Sequence, residues 1–240
     1  MQTLNGKKAV ITGAGRGLGK AMALALAAED VELALVGRSS QNLQQVAGEV
    51  QHINPDLKTK TYVADVSDYE QVRQQVQAIL TDFGSVDILI NNAGIFYAAD
   101  ILESDVAEWE NVFKTNVFGS FYMVKEIIPG MMERKSGDII NVASTAGLKG
   151  GAKISAYSAS KAALINFSES VMQEARKSNV RVTTVYPSTV TTDLAINAKL
   201  TDGNPEKALQ PDDLATIVVH NLKLPTRAFV KDFSLWATNP

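Results

Sequence analysis

Short runs of β-branched and other apolar residues recur along the chain, and each is followed by a longer segment in which apolar residues repeat with helical period. Runs that are apolar at consecutive positions are typical of parallel strands, which are buried on both faces of a sheet. The runs lie at Ala9–Thr12, Glu32–Val36, Thr59–Ala64, Val86–Ile90, Asp138–Val142 and Val180–Tyr186, and a seventh is expected at Ala228–Trp236. This alternation predicts an α/β fold of the Rossmann type: a doubly wound parallel sheet of six to seven strands with helices on both faces.

The same pattern marks where several helices begin. Ser67-Asp-Tyr-Glu70 has the form of a capping box, and Pro211, followed by two aspartates, suits the first turn of a later helix. A further helix is predicted over residues 155–178. Because no Pro-rich, Ser-rich or repeated stretch divides the 240 residues, we expect a single domain, 1–240.

Composition narrows the classes of partner. The net charge of -3 argues against nucleic acid or an anionic membrane as the main partner, since both favour a concentrated basic surface. The chain has no cysteine, which excludes disulfides and thiolate metal sites, and no metal site is predicted. No signal peptide is recognisable in the first residues, and the apolar helix around 117–132 is too short to span a bilayer. We therefore expect a cytoplasmic protein.

A glycine-rich turn follows the first predicted strand. It matches the pattern T-G-x-x-x-G-x-G rather than the common dinucleotide fingerprint G-x-G-x-x-G. Glycines allow a tight turn and let backbone amides approach a phosphate at the N-terminus of the next helix. The residues expected to bind a dinucleotide cofactor here are Gly13, Gly15, Arg16, Gly17, Leu18 and Gly19. The alternative is a glycine-rich turn that binds nothing.

The end of the second strand bears on the choice of cofactor. A carboxylate at this position would accept hydrogen bonds from the free 2′-hydroxyl of NAD, but the chain has Arg38 and Ser39 instead. Arg38, together with Arg16, offers guanidinium groups to a 2′-phosphate, which favours NADP(H). Solvated arginines without a ligand are the alternative.

Tyr157 and Lys161 lie one helical turn apart within the predicted helix over residues 155–178. Residues i and i+4 share a helix face, so the ammonium is expected to stabilise the phenolate and lower the pKa of the tyrosine. Such a pair suits proton transfer. The alternative is a surface helix that carries a solvated lysine.

In their order and spacing, four motifs resemble the short-chain dehydrogenase/reductase family over residues of about 5 to 220. They are the glycine-rich turn, Asn91-Asn92-Ala93-Gly94, Ser144 and Tyr157-x-x-x-Lys161. The resemblance implies that Tyr157 exchanges a proton with the substrate oxygen, that Ser144 hydrogen-bonds this oxygen, and that Lys161 lowers the tyrosine pKa and holds the nicotinamide ribose. It also implies that Asn116 holds a water in a proton relay. A helix-kink cap is the other interpretation of Asn116.

The resemblance extends the set of cofactor residues. It implies that Asp65 and Val66 contact the adenine, although Asp65 also suits a helix start. The remaining members are Asn92, Ala93, Gly94, Tyr157, Lys161, Pro187, Val190 and Thr192. Ser188 stands where the family usually has glycine, which leaves the conformation of this loop open, and the C-terminus lacks the family's glycine-rich strand.

The resemblance therefore implies NADPH-dependent reduction of a ketone to a secondary alcohol. The specific expectation is a 3-oxoacyl-acyl-carrier-protein reductase or another 3-oxoacyl thioester reductase. The alternatives are a carbonyl reductase for a small ketone, diketone or sugar, and a non-catalytic NADP-binding regulatory or scaffold protein. Residues expected to line an apolar substrate pocket are Ile95, Phe96, Leu148, Ile154 and Leu194.

Two kinds of partner follow from the same resemblance. An acidic acyl carrier protein would require basic residues beside the pocket, and residues expected to supply them are Arg134, Lys135, Arg176 and Lys177. The alternative is that these cations only stabilise the C-terminal ends of their own helices, where the helix dipole favours positive charge. A homotetramer or homodimer is expected to pack through the helices around 105–135 and 155–178.

Overall fold

Seven parallel strands form one sheet in the computed structural model, which describes residues 1–198, 200–204 and 206–238. Their order across the sheet is β3-β2-β1-β4-β5-β6-β7. The strands are β1 Lys8–Thr12, β2 Glu32–Gly37, β3 Thr59–Val63, β4 Ile88–Asn91, β5 Gly137–Val142, β6 Val180–Pro187 and β7 Asp232–Leu235. The predicted α/β doubly wound fold is confirmed, including the seventh strand.

Helices connect the strands and cover both faces of the sheet. They are α1 Gly17–Ala27, α2 Ser40–Ile53, α3 Tyr69–Phe83, α4 Val106–Phe113, α5 Gly119–Arg134, α6 Ser155–Ala175, α7 Asp193–Asn197 and α8 Pro211–Leu222. A π-helical turn, Lys114–Phe118, joins α4 to α5, and short 3₁₀ turns lie at Thr145–Gly147 and Arg176–Ser178. The helix predicted over 155–178 is therefore α6 extended by a 3₁₀ turn.

Two apolar layers hold the helices on the sheet. One layer packs α1, α2 and α8 against residues such as Ile11 and Leu35, and the other packs α3, α5 and α6 against residues such as Val10 and Leu89. Neighbouring residues of β1 thus face opposite layers, as the alternation of side chains along a strand requires. Burial on both faces explains why the interior strands β1, β2 and β4 are nearly continuous apolar runs, whereas the edge strands β3 and β7 are partly exposed and more polar.

One predicted helix start is wrong by a residue. The N-cap of α3 is Asp68, whose carboxylate accepts hydrogen bonds from the backbone amides of Glu70 and Gln71. Ser67 instead donates its hydroxyl proton to Asp65. The start at Pro211 is confirmed, because Gln210 and Asp213 form a reciprocal capping box around it.

The order of the strands determines where a ligand can bind. The chain moves from β1 towards β2 on one side and later towards β4 on the other, so the connections diverge at the carboxyl ends of β1 and β4. Such a switch point leaves a crevice between the flanking loops. In the described part of the chain, no helix is both long and apolar enough to cross a membrane.

Candidate active site

A cavity of about 680 Å³ opens at the carboxyl ends of the strands. The turn after β1, the ends of β2 and β3, and the loops after β4, β5 and β6 all contribute to its wall. Of the residues predicted to bind cofactor, those that line it are Gly13, Gly15, Arg16, Gly17, Leu18, Arg38, Ser39, Asp65, Val66, Asn92, Ala93, Gly94, Tyr157, Lys161, Pro187, Val190 and Thr192. The sequence motifs therefore converge on one crevice.

The glycine-rich turn leaves little room for side chains. Gly13 has a φ of +64°, and a Cβ atom on Gly15 would lie 2.9 Å from the Cβ of Asn42. Gly19 does not line the cavity, but a side chain there would overlap the carbonyl oxygen of Gly13. The glycines thus keep a narrow cleft open beside the start of α1, and this cradle of backbone amides fits the phosphates of a dinucleotide.

Thr12 and Asn92 hold this turn against the next loop. The hydroxyl of Thr12 accepts hydrogen bonds from the backbone amides of Asn92 and Ala93, and the side-chain amide of Asn92 donates to the Thr12 carbonyl at 3.0 Å. The two carboxyl-terminal loops of β1 and β4 are therefore fixed to each other. The threonine that opens the glycine motif was the sequence signal for this contact.

Two exposed arginines line the cavity near the glycine-rich turn and the end of β2. The Arg38 side chain is 66% exposed and lies 3.9 Å from the carboxylate of Asp65, while Arg16 lies 3.9 Å from Asp193. Exposed pairs at such distances are weak, so both guanidinium groups are available to an anion. Asp65 also accepts hydrogen bonds from the amide and hydroxyl of Ser67. It therefore caps a local turn as well as lining the cavity.

Tyr157 and Lys161 lie one turn apart on α6, and both line the cavity. The ammonium nitrogen of Lys161 is 5.7 Å from the centre of the Tyr157 ring, and the ring of Phe96 contacts Tyr157 edge-on at 5.1 Å between centroids. Lys161 is only 4% exposed and donates a 2.8 Å hydrogen bond to the carbonyl of Val142. Burial lowers the pKa of Lys161 to about 8.

The pKa of Tyr157 moves in the direction opposite to the sequence prediction. Burial raises it, and the side chain of Ser144 opposes this rise by hydrogen bonding. The expected depression by Lys161 is absent because the ammonium is directed at Val142 rather than at the phenol oxygen. The phenol consequently keeps its proton at neutral pH.

Ser144 is placed by the 3₁₀ turn that follows β5. Its hydroxyl accepts a hydrogen bond from the backbone amide of Ala146 at 3.1 Å, and its side chain lines the cavity beside Tyr157. Gly147, which the sequence analysis did not single out, brings this turn close to α6, since a Cβ atom there would lie 2.7 Å from the carbonyl carbon of Lys161.

Asn116 lies behind the cavity wall and is fully buried within the π-helical turn. Its side chain forms a reciprocal pair with the backbone of Ile95: the amide of Ile95 donates to Oδ1 at 2.8 Å, and Nδ2 donates to the Ile95 carbonyl at 3.0 Å. A second proton on Nδ2 goes to the hydroxyl of Ser160. Asn116 therefore lies in an irregular helical turn, as its interpretation as a helix-kink cap expects. Its contact with Ser160 was not predicted from the sequence.

Apolar side chains line part of the cavity. Of the predicted pocket residues, Ile95, Phe96, Ile154 and Leu194 line it, whereas Leu148 lies outside the lining and is 56% exposed. Ser188 also lines it with an ordinary negative φ, so the serine that replaces a glycine does not strain this loop.

The four basic residues expected beside the pocket lie elsewhere. Arg134 donates to the carbonyl of Val86 just before β4, and Arg176–Ser178 immediately precedes β6. They therefore sit at the amino ends of the strands, across the sheet from the cavity. That prediction is wrong because helices that follow a parallel strand run back to the opposite edge before the next strand begins.

Comparisons with known proteins agree with this geometry. The family model for short chain dehydrogenases matches residues 7–203. An uncharacterized oxidoreductase of Staphylococcus saprophyticus is 35% identical over 235 residues, which cover 98% of this chain and 99% of the relative.

Two solved structures are similar over nearly the whole chain. L-sorbose reductase from Gluconobacter frateurii, complexed with NADPH and L-sorbose, has a TM-score of 0.90 and 27% identity, with 99% of this chain and 98% of that chain covered. Xylitol dehydrogenase bound to NAD+ has a TM-score of 0.87 and 25% identity, with 98% and 99% covered. The two neighbours carry different cofactors, so similarity alone does not select between NAD and NADP.

Proposed function

Because the chain belongs to the short-chain dehydrogenase family, we propose that it uses NADP(H) to reduce a ketone to a secondary alcohol. The observation that carries this proposal is that Tyr157, Lys161 and Ser144 line the same cavity as the glycine-rich turn. A phenol that keeps its proton at neutral pH is suited to donate it to a carbonyl oxygen.

The residues that would hold the cofactor follow the length of the cavity. The backbone of the glycine-rich turn suits the pyrophosphate, Arg38 and Ser39 suit the 2′-phosphate, and Val190 and Thr192 suit the nicotinamide carboxamide. When bound, the nicotinamide supplies the hydride that reduces the carbonyl carbon. The preference for NADP(H) rests on Arg38 and on the lack of a carboxylate at the end of β2.

The protein's own part in the reaction is orientation and proton donation. Ser144 donates its hydroxyl hydrogen bond to the substrate oxygen and stabilises the negative charge that develops there. Tyr157 transfers its proton to the same oxygen. Lys161, charged below a pH of about 8, holds its ammonium 5.7 Å from the centre of the Tyr157 ring, and at this distance its charge favours the phenolate that remains.

Initial-rate assays with NADPH and with NADH test this proposal. The panel contains a cyclic ketone, a diketone, a ketose and an acetoacetyl thioester, and we expect NADPH-dependent turnover of at least one of them. Tight cofactor binding without turnover of any ketone would instead favour the non-catalytic regulatory or scaffold alternative.

A 3-oxoacyl thioester remains the specific substrate prediction, and the apolar lining suits its acyl chain. The basic residues invoked for an acyl carrier protein lie at the opposite edge of the sheet, so we expect the acetoacetyl group to react as fast on a small thioester as on the carrier protein. A much faster reaction on the carrier protein would show that it docks through other residues.

We also propose a homodimer or homotetramer that packs through α4, α5 and α6. Phe118 and Phe121 are 45% and 42% exposed, and both rings contact Tyr122, so they form one exposed aromatic patch where the π-helical turn meets α5. Sedimentation velocity at micromolar concentration is expected to show dimers or tetramers, and a monomer would contradict the proposal. Replacing Phe121 with Glu should shift the population towards monomer.

A further inference from the structure

Ser160 makes two hydrogen bonds to residues of the candidate site, although it does not border the cavity. Its hydroxyl donates to the carbonyl oxygen of Tyr157 at 2.7 Å and accepts from Nδ2 of Asn116 at 3.0 Å. Its side chain is fully buried. Since a hydroxyl has a single proton, the bond to Tyr157 leaves only lone pairs for Asn116, and the direction of both bonds is fixed.

The contact to Asn116 completes the hydrogen bonding of that amide group. Both Nδ2 protons are used, one on the carbonyl of Ile95 and one on Ser160, while Oδ1 accepts from the amide of Ile95. Removing the Ser160 hydroxyl would leave one buried N–H of Asn116 without a partner.

These bonds belong to a closed ring of contacts around the proton donor. Ser160 and Tyr157 lie on the first turns of α6, Asn116 links them to Ile95, and the next residue, Phe96, returns to Tyr157 through its edge-on ring contact. Helix α6 is thus fixed to the loop after β4 at two points, through Ser160 and through the ring of Tyr157.

We infer that Ser160 is a positioning residue for Tyr157, acting through Asn116 and the Ile95–Phe96 loop. This inference rests on the proposed function, because it concerns the geometry in which Tyr157 meets the carbonyl oxygen. Proton transfer is sensitive to small displacements, so a loosened ring of contacts should slow the reaction more than it weakens cofactor binding.

The chain provides a matched control in Ser168 on the same helix. Its hydroxyl donates to the carbonyl of Leu164 at 2.6 Å and accepts from Nδ2 of Asn141 at 2.8 Å, and it is also buried. Ser168 therefore has the same bonding pattern as Ser160, but it lies about 12 Å further along the helix. Both Ser→Ala variants should lower the melting temperature by similar amounts.

The experiment compares Ser160→Ala, Ser160→Cys and Ser168→Ala with the wild-type enzyme on a ketone that it reduces. We expect both Ser160 variants to lose about tenfold in kcat and to shift the pH profile of kcat by about half a pH unit, with KM for NADPH unchanged within about twofold. Ser160→Cys fills the space of the serine side chain and weakens its hydrogen bonds. This variant therefore provides the test if Ser160→Ala does not fold. Ser168→Ala should keep kcat within about twofold of wild type.

Two results would overturn the inference. Ser160 variants that keep wild-type kcat and pH profile would assign Ser160 a structural role only, and an equal loss of kcat in Ser168→Ala would assign the effect to general loosening of α6. A wild-type enzyme that reduces no ketone would contradict the proposed function itself, whereas the first two results leave that function intact.

Discussion

The ammonium of Lys161 donates a 2.8 Å hydrogen bond to the carbonyl oxygen of Val142, at the carboxyl end of β5. This bond draws the charge towards the sheet and away from the phenol oxygen of Tyr157. A buried ammonium with a carbonyl as its partner is costly, which is why burial lowers the pKa of Lys161 to about 8. The lysine therefore has consequences for both activity and stability.

For activity, we predict that kcat/KM for ketone reduction falls above about pH 8. Lys161 loses its charge there in the free enzyme, whereas the raised pKa of Tyr157 keeps the phenol protonated. Initial rates with NADPH across the pH range measure this fall in kcat/KM. Enzyme that is returned to neutral pH before the assay is the control for inactivation. A constant kcat/KM well beyond the ordinary lysine pKa of 10.5 would contradict the assignment.

For stability, replacing Lys161 with Met should raise the free energy of unfolding at neutral pH by about 2 kcal/mol while abolishing turnover. The shift from 10.5 to about 8 corresponds to roughly 3 kcal/mol, and loss of the bond to Val142 offsets about 1 kcal/mol. Urea unfolding of both proteins measures the difference.

The pH dependence of that difference has a definite sign. Between about pH 8 and 10.5 the unfolded chain binds more protons at Lys161 than the folded protein does, so this group adds stability as pH rises. The advantage of the methionine variant should therefore shrink towards alkaline pH. An advantage that grows with pH would contradict the burial argument.

Cofactor selectivity should depend on Arg38. We predict that Arg38→Ala raises KM for NADPH about tenfold or more and leaves KM for NADH nearly unchanged, because only NADPH carries the 2′-phosphate. Lys20→Ala is a suitable control, since Lys20 pairs with Glu49 outside the cavity lining. Equal effects on both cofactors would assign Arg38 a role unrelated to the phosphate.

The C-terminal segment is anchored by a buried ion pair. Arg181 on β6 bonds to Asp138 on β5 and to the carbonyls of Leu222, Leu224 and Ala228, which connect α8 to β7. Arg181→Ala should cost about 3–5 kcal/mol of unfolding free energy, because it leaves a buried carboxylate unpaired.

A double variant separates the contribution of the ion pair to stability from that of the carbonyl contacts. Arg181→Met combined with Asp138→Leu removes both charges, and we expect it to be more stable than Arg181→Ala. Chemical denaturation measures all three proteins, and a double variant as unstable as the single one would show that the carbonyl contacts dominate.

The strands and the cavity were predictable from sequence because each depends on local pattern. Consecutive apolar residues mark strands buried on both faces. The glycines of Thr12–Gly19 indicate positions where the fold leaves no room for a side chain or requires a positive φ. The strand-end motifs converge because parallel strands present their carboxyl ends at one edge.

The features that were missed depend on tertiary contacts. The π-helical turn at Lys114–Phe118 is held by the bonds between Asn116 and Ile95, which lie 21 positions apart in sequence. The raised pKa of Tyr157 results from burial, which helix spacing does not reveal. Ser160 resembles any small residue in a helix until its partner on another element is known.

The most direct test of the central claim is the Tyr157→Phe variant, assayed for ketone reduction and for NADPH binding in the same preparation. The change removes only the phenolic oxygen, so the ring contact with Phe96 and the fold should persist. If Tyr157 is the proton donor, kcat falls by about 10²–10⁴-fold while the dissociation constant of NADPH changes less than about twofold. A variant that retains near-wild-type kcat would contradict the account.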